Sequence, residues 1–412
     1  MSKKILIIDD SALMRRVISD IIKSGNEYEV AAIAKDGLEG YEYIRQNPTL
    51  YSAVILDINM PKMNGLQLLQ KLQREHIEQT VIVVSTVAKE GARETIQALE
   101  YGAFDFVTKP ENYLETKSES FRKRIHEMLN VATSTKKTLE RVSASSVSRA
   151  VPSGSSRFTP GKTQDEAARE QRRMAGAEAL KAIRARTGTA QSAAPAKKVD
   201  GKLYKDVKTN CKKVVALACS TGGPKSLQQV IPMLPRNLDA GVVLVQHMPA
   251  GFTASLAQRL DEMSDVQVKE AEDGDIIRRG HVYIAPGGKH LRIVKNGSGH
   301  KIQLSDEPAI EGLRPCANIM YESLERCDYD EITCVVLTGM GADGTKGIKG
   351  LSDRHKKIYV IAQDEDTSVV YGMPKAIAQT GLVNEVVPLN RVAEVITKNV
   401  GVSSDGILIN IK

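Results

Sequence analysis

The sequence of 412 residues contains no tryptophan, and aromatic residues make up only 4% of it. Its cores must therefore be built from aliphatic side chains and methionine. No apolar run approaches the roughly 18 residues that a membrane-spanning helix needs. The N-terminal stretch MSKKILIIDD has too short an apolar run for a secretory signal. These absences predict a protein with no direct membrane insertion, and the length predicts two or three domains.

Cysteine is scarce, and it is confined to the second half of the chain. No two cysteines have the C-x-x-C spacing that is typical of zinc sites, and the count is odd. The five are Cys211, Cys219, Cys316, Cys327 and Cys334. Without a disulfide framework or an export signal, this pattern favours reduced thiols and a cytoplasmic location.

Positive charge is concentrated in one segment. Residues 130–210 contain 17 Lys and Arg against 7 Asp and Glu, a net charge of +10, whereas the whole chain carries +7. The segment is also rich in Ser, Thr, Gly and Ala and poor in large apolar residues, so it cannot bury enough surface to form a core. We predict a flexible basic linker over residues 129–208.

The segments on either side of this linker alternate strand-like and helix-like patterns. Residues 1–128 contain five apolar runs separated by helical periodicity, which predicts a five-stranded parallel sheet with helices on both faces. Residues 209–400 contain eight strand candidates and predict a second α/β domain with a mixed, mostly parallel sheet. Residues 401–412 form a short C-terminal tail.

Polar side chains follow four of the five N-terminal strands. The residues are Asp9, Asp10, Asp57, Ser85 and Lys109. Because ligands bind at the carboxyl ends of parallel strands, we expect these side chains to lie at one edge of the sheet. Three carboxylates would repel one another there without a cation, and oxygen ligands suit Mg²⁺. The set predicts a phosphorylation site.

The stretches IIDDSALMRR, LDINMPKMNGLQLL and FVTKP resemble the receiver domain of bacterial response regulators, a flavodoxin-like fold. The resemblance implies that Asp57 accepts a phosphoryl group from a histidine kinase, with Mg²⁺ held by Asp9, Asp10 and Asp57. It also implies that Lys109 and Ser85 contact the phosphoryl group, and that Ser85 and Phe106 report its presence. A receiver often controls DNA binding, but no helix-turn-helix pattern follows Cys211, and we predict no DNA partner.

Two glycine-rich stretches raise nucleotide binding as an alternative. ALACSTGGPKSL (216–227) fails the Walker pattern, because Cys219 and Pro224 occupy its glycine positions. GMGADG (339–344) matches the dinucleotide fingerprint and is followed by Asp364 at a suitable spacing. However, the carboxylate of Asp343 would repel a pyrophosphate, and this hypothesis assigns no role to the polar residues at the other strand ends.

Three polar residues at strand ends favour acyl chemistry instead. Ser220 follows the strand VVALA, His247 follows GVVLVQ, and Asp343 comes shortly after EITCVVLT. A serine hydroxyl needs an adjacent base and a third group that orients the base, and these residues supply the three roles. The sulfur of Cys219 is the alternative nucleophile, although strand alternation turns it toward the sheet and favours Ser220.

The stretches ACSTGGP, VQHMPAGFT, AEDGD, YIAPGGKHL and LTGMGADG resemble the protein-glutamate methylesterases of bacterial chemotaxis, with a Rossmann-like catalytic domain. The resemblance implies that Ser220, His247 and Asp343 form a catalytic triad and that the Met340 N–H stabilises the oxyanion. It implies a hydrolase without a cofactor for the ester chemistry, which demethylates and deamidates methyl-accepting receptors. It also implies that the unphosphorylated receiver covers the site. A regulated adaptor with an inactive esterase remains the alternative.

Overall fold

The computed structural model describes residues 2–86, 88–110, 118–145 and 211–403. The predicted linker from residue 146 onward and the tail from residue 404 onward lie outside these ranges. Within them, no helix has the length and apolar character required to cross a bilayer.

The N-terminal domain has the predicted five-stranded parallel sheet, with strand order β2-β1-β3-β4-β5. Central strands β3 and β4 are buried along their whole length, as expected for a sheet covered on both faces. The elements, in chain order, are β1 Lys3–Ile8, α1 Ala12–Lys23, β2 Tyr28–Ala34, α2 Gly37–Gln46, β3 Ala53–Asp57, α3 Gly65–Arg74, β4 Val81–Ser85, α4 Lys89–Glu100, β5 Asp105–Thr108 and α5 Glu119–Ser145.

Local sequence determines where several of these helices begin. Asn64 and Gln67 form a reciprocal capping box at the start of α3. At the far end of the domain, α5 continues past residue 128, and Leu129 and Ala132 are buried in the core of the N-terminal domain. The helix therefore extends into the first residues of the segment that we assign to the linker, and the division of the chain into domains stays a prediction.

The C-terminal domain is built on a seven-stranded sheet with strand order β14-β13-β12-β6-β7-β9-β8. Among the described residues, every pair of neighbouring strands in this sheet is parallel. Its elements are β6 Lys213–Cys219, α6 Gly223–Val230, β7 Ala240–Gln246, α7 Phe252–Met263, β8 Gln267–Glu270, β9 His281–Ile284, β10 His290–Asn296, β11 Gly299–Ser305, α8 Ala317–Ser323, β12 Glu331–Val336, α9 Thr345–Asp353, β13 Ile358–Gln363, α10 Met373–Ala378, β14 Glu385–Val387 and α11 Val392–Val400.

The antiparallel component of this domain is separate from the main sheet. Strands β10 and β11 form a two-stranded antiparallel ribbon, and the two residues Gly297 and Ser298 join them. A two-residue connection with Gly at positive φ is typical of a tight hairpin. The predicted α/β fold class is confirmed for both domains, and the antiparallel strands form a ribbon outside the seven-stranded sheet.

The parallel register positions the candidate site. Cys219 at the end of β6 pairs with Gln246 at the end of β7, and Ala218 pairs with Val336 at the end of β12. The loops that follow these three strands therefore leave the sheet at the same edge. These are the loops that carry Ser220, His247 and Asp343.

Candidate functional site

His247 and Asp343 are in direct contact at this edge. His247 Nε2 lies 2.8 Å from Asp343 Oδ2, and both side chains are largely buried. The two residues are 96 positions apart in the sequence, and the sheet brings them together because β12, which precedes Asp343, lies beside β6. The two residues that we predict to act as base and orienting carboxylate are therefore in contact.

The Asp343 carboxylate is held by the start of α8. The backbone N–H groups of Ala317 and Asn318 donate to it at 2.6 and 2.9 Å, and the Cys316 thiol donates at 3.2 Å. Burial opposes ionisation, but the hydrogen bonds from His247 and these N–H groups lower the pKa of Asp343 to about 2. The carboxylate is therefore ionised at any physiological pH and its orientation is fixed.

Ser220 lies half-buried in the loop after β6, and it lines the same cavity as His247 and Met340. No hydrogen bond joins the Ser220 hydroxyl to His247 in the described part of the chain. Gly339 packs close to Ser220, since an added Cβ would approach Ser220 Cβ to 2.8 Å. The absence of a side chain at this position lets the Met340 backbone lie beside the serine.

Cys219 faces away from this cavity. Its side chain is fully buried, and its thiol donates to Gln246 Oε1 at 3.0 Å. Burial raises the pKa of the thiol far above its usual range, so the thiolate needed for attack is not formed. These contacts favour Ser220 over Cys219 as the nucleophile.

The contacts of the loop GMGADG differ from the dinucleotide binding that its sequence pattern suggests. Asp343 lies within it, and the N–H of Gly344 at the start of α9 donates to the Asp343 carboxylate at 2.9 Å. A protein carboxylate thus occupies the helix N-terminus where a pyrophosphate would bind. The structure gives no support to the dinucleotide hypothesis.

A second cluster lies at the carboxyl edge of the five-stranded N-terminal sheet. Lys109 Nζ lies 3.0 Å from Asp9 Oδ2 and 2.8 Å from Asp57 Oδ2. Carboxylate oxygens of Asp9, Asp10 and Asp57 lie within 4.8 Å of one another. Burial raises the pKa of Asp57, against the lowering effect of Lys109. This oxygen-only set fits the ligand preference of Mg²⁺.

The two predicted switch residues have different surroundings. The Ser85 hydroxyl donates to the Gly91 carbonyl at 3.2 Å, in the first turn of α4. Phe106 stacks on Phe252 of α7, with ring centroids 4.7 Å apart and an interplanar angle of 19°. Phe106 also lines the cavity beside Ser220. The structure thus places Phe106, one of the two predicted switch residues, against the C-terminal domain.

Further contacts between the N-terminal and C-terminal domains surround this aromatic pair. The carboxylate of Asp105 accepts a hydrogen bond from the Gly222 N–H at 3.1 Å. On the other side, Arg259 Nη2 donates to Glu100 Oε2 at 3.1 Å. Sequence reasoning missed these residues because each is an ordinary surface type whose partner lies more than 100 positions away.

The start of α8 was also missed. Cys316, Ala317 and Asn318 follow no apolar strand, and two of their three contacts with Asp343 use backbone N–H groups. A hydrogen bond donated by a backbone N–H cannot be recognised from the residue type. Cys316 stands at the N-cap of this helix, but cysteine is not one of the residue types that indicate a helix N-terminus, so the sequence offered no signal here.

Comparison with known proteins agrees with both halves of the chain. Residues 215–396 match the family model for CheB methylesterase, and residues 5–118 match the model for the response regulator receiver domain. A protein-glutamate methylesterase/protein-glutamine glutaminase from Pyrococcus abyssi is 36% identical over 96% of this chain and 93% of its own. One from Bacillus subtilis is 36% identical over 96% of this chain and 97% of its own.

Among solved structures, the CheB methylesterase catalytic domain of Thermotoga maritima is 41% identical. It covers 46% of this chain and 98% of its own, with a TM-score of 0.44. The two resemblances predicted from the sequence are confirmed by the family models and the full-length relatives. The chain belongs to the CheB methylesterase family and carries a response regulator receiver domain at its N-terminus.

Proposed function

We propose that this chain hydrolyses glutamate methyl esters on methyl-accepting chemotaxis receptors, releasing methanol, and deamidates receptor glutamines. The names of its relatives contain both activities. One observation carries the proposal for this chain's own residues. The hydrogen-bonded pair of His247 and Asp343 lies at the cavity that Ser220 lines, so a nucleophile and an oriented base share one site.

In the first step, Ser220 Oγ attacks the carbonyl carbon of the ester while His247 takes the serine proton. Since His247 Nε2 forms a hydrogen bond with Asp343, the other ring nitrogen, Nδ1, accepts the serine proton. This is the reverse of the ring orientation in the serine proteases. The C–O bond to the methoxy group then breaks, and His247 returns the proton to the departing methanol.

In the second step, water attacks the acyl-serine and releases the glutamate carboxylate. His247 takes a proton from this water and gives it to Ser220. A glutamine side chain follows the same path, with ammonia as the leaving group. Asp343 stays ionised throughout and stabilises the imidazolium.

Negative charge develops on the carbonyl oxygen in both steps. The Met340 N–H makes no hydrogen bond within the described residues, and Met340 lines the cavity beside Ser220. We assign this N–H as an oxyanion donor. Loss of one such donor costs about 10²- to 10³-fold in kcat in known cases.

The receiver supplies the phosphorylation site. Asp57 is the phosphoryl acceptor, with a chemotaxis histidine kinase as the donor, and Lys109 pairs with the incoming charge. Asp9, Asp10 and Asp57 would hold Mg²⁺, which neutralises phosphoryl oxygens when it is bound. Ser85 must turn from the Gly91 carbonyl to contact the phosphoryl group. Phosphoryl transfer from a histidine kinase and the free, buried cysteine thiols both favour a cytoplasmic location.

The unphosphorylated receiver covers the esterase site. One wall of the cavity is formed by receiver residues, among them Phe106, Arg124 and Glu127, and the cavity measures about 170 Å³. A receptor helix is about 10–12 Å wide, so it does not fit while this wall is in place. Phosphorylation of Asp57 shifts the population toward arrangements in which Phe106 has left Phe252.

The test is methanol release from methylated receptor membranes, with and without a small-molecule phosphodonor. We expect slow release without the donor, faster release with it, and none from Ser220→Ala. An inactive adaptor would release no methanol under either condition, although it could still bind the receptor. That outcome would refute the enzymatic proposal.

A further inference from the structure

Gln246, the last residue of β7, makes a set of contacts that the proposed mechanism does not use. Its side chain is 2% exposed, although it is polar and ends an apolar strand. Its Nε2 donates to the Ser220 carbonyl at 3.0 Å and to the His247 carbonyl at 3.2 Å. One buried amide therefore joins the backbones of the two residues that must exchange a proton.

We infer that Gln246 is a positioning residue that sets the distance between Ser220 and His247. The inference rests on the proposed function. The last backbone hydrogen bond between the two strands runs from the His247 N–H to the Cys219 carbonyl at 3.2 Å. Beyond this hydrogen bond, the Gln246 amide continues the bridge from one loop to the other. Fixing these loops fixes the positions of the side chains that they carry.

The orientation of the amide is determined by its surroundings. Both hydrogens of Nε2 find carbonyl acceptors, so Oε1 must be the atom that faces Cys219. The Cys219 thiol is neutral because it is buried, and it donates to Oε1 at 3.0 Å. Cys219 therefore acts through Gln246, as the donor that keeps the amide from turning over.

Gly223 shows how closely the amide is packed. A Cβ added at Gly223 would lie 2.0 Å from Gln246 Oε1, well inside any permitted contact. The Gly223 N–H also donates to the Ser220 carbonyl at 2.7 Å. The Ser220 carbonyl thus accepts from two donors, one local and one from β7. A side chain at position 223 would displace the amide from both loops.

The main test uses the full-length protein with a phosphodonor and measures methanol release from methylated receptor. Gln246→Met keeps the length of the side chain and removes its donors, whereas Gln246→Glu keeps its shape and places an acceptor against two carbonyls. We expect kcat to fall about 10- to 100-fold in both, the effect of small misplacements of reacting groups. KM should stay within about twofold, because the lost interaction does not bind substrate.

Two further measurements separate positioning from loss of fold. The rate at which a fluorophosphonate labels Ser220 should fall in parallel with kcat, because it reports the reactivity of the serine without the receptor. In Gln246→Met the pH at half-maximal kcat/KM should not shift, because replacing the neutral amide by a thioether changes distance and not charge. Circular dichroism and the unfolding temperature establish that each variant is folded.

Substitution of Cys219 supplies a second, independent test of the inference. Cys219→Ala should lower kcat less than Gln246→Met does, and it should have no further effect in the Gln246→Met background, since it acts through that amide. Cys334→Ala removes another fully buried thiol, on β12, which does not contact Gln246. This matched control should retain wild-type kcat even if it lowers stability.

The outcomes distinguish this inference from the proposed function. If Ser220→Ala is inactive while folded Gln246→Met and Gln246→Glu retain kcat within about twofold, Gln246 has no positioning role. Additive effects of Cys219→Ala and Gln246→Met would equally overturn the coupling between the two residues. If Ser220→Ala itself retains activity, the proposed function fails first.

Discussion

The Asp105 carboxylate of the receiver accepts a hydrogen bond from the Gly222 N–H, two residues after Ser220. Asp105 is buried at the contact between the domains, and this burial raises its pKa to about 6. The N–H groups of Phe106 and Gly222 oppose this shift. The contact that covers the esterase site therefore contains a carboxyl group that titrates close to neutral pH.

The first prediction concerns the pH dependence of this cover. Since the pKa of Asp105 is raised in the covered state, protonation favours that state, and the favourable contribution is lost as pH rises through about 6. We expect the ratio of basal to phosphodonor-stimulated activity to fall as pH is lowered from 7 to 5. Asp105→Asn should make this ratio independent of pH.

The ratio is the quantity to measure because other polar side chains line the same cavity, among them Arg124, Glu127 and His247. An effect of pH on the chemical step itself changes both activities alike and cancels in the ratio. A ratio that varies with pH equally in wild type and in Asp105→Asn would exclude Asp105 as the group responsible.

The second prediction tests the ion pair between Glu100 and Arg259. The pair is partly exposed, so its contribution to the cover is on the order of 0.5–1 kcal/mol. Arg259→Glu should raise basal methanol release by about two- to fivefold and leave phosphodonor-stimulated release unchanged. The exchanged pair Glu100→Arg with Arg259→Glu should restore the low basal rate. Failure of the double exchange to restore it would show that the pair does not hold the domains together.

The third prediction concerns Asp343. Asp343→Asn keeps the shape of the side chain but favours the wrong tautomer of His247, so kcat should fall on the order of 10⁴-fold. Because the pKa of Asp343 is lowered to about 2, its contribution to stability is present above about pH 4 and is lost as pH falls toward 2. The stability difference between wild type and Asp343→Asn should therefore shrink over that range. Urea unfolding at pH 6 and pH 3 measures it, and a constant difference would contradict the assignment.

The fourth prediction separates the two sites. Asp57→Asn should abolish the stimulation of methanol release by a phosphodonor while leaving basal release intact. Chelation of Mg²⁺ should have the same selective effect, because its proposed ligands lie in the receiver. Loss of basal activity on chelation would show that the esterase chemistry itself depends on a metal.

Much of the fold could be predicted because its signals are local. Buried parallel strands such as β3 and β7 are continuous apolar runs, and a polar residue that ends such a run lies at the ligand-binding edge. That rule located Ser220 and His247. It located Asp343 less directly, since this residue lies seven positions beyond the last residue of β12.

The rest of the site is long-range and often made by the backbone. The donors of α8 to Asp343 are N–H groups, and the Asp105–Gly222 contact joins residues 117 positions apart. Gln246 is the last residue of an apolar strand, directly before His247. The two groups that accept hydrogen bonds from its side chain are backbone carbonyls, which no residue type reveals. Periodicity and spacing carry no information about such contacts.

The most direct test of the account is methanol release by Ser220→Ala, compared with wild type and Cys219→Ala, on methylated receptor with a phosphodonor. The account predicts that Ser220→Ala loses nearly all of the wild-type rate, whereas Cys219→Ala retains most of it. Substantial release by Ser220→Ala, or its complete loss in folded Cys219→Ala, would contradict the central claim that the Ser220 oxygen is the nucleophile.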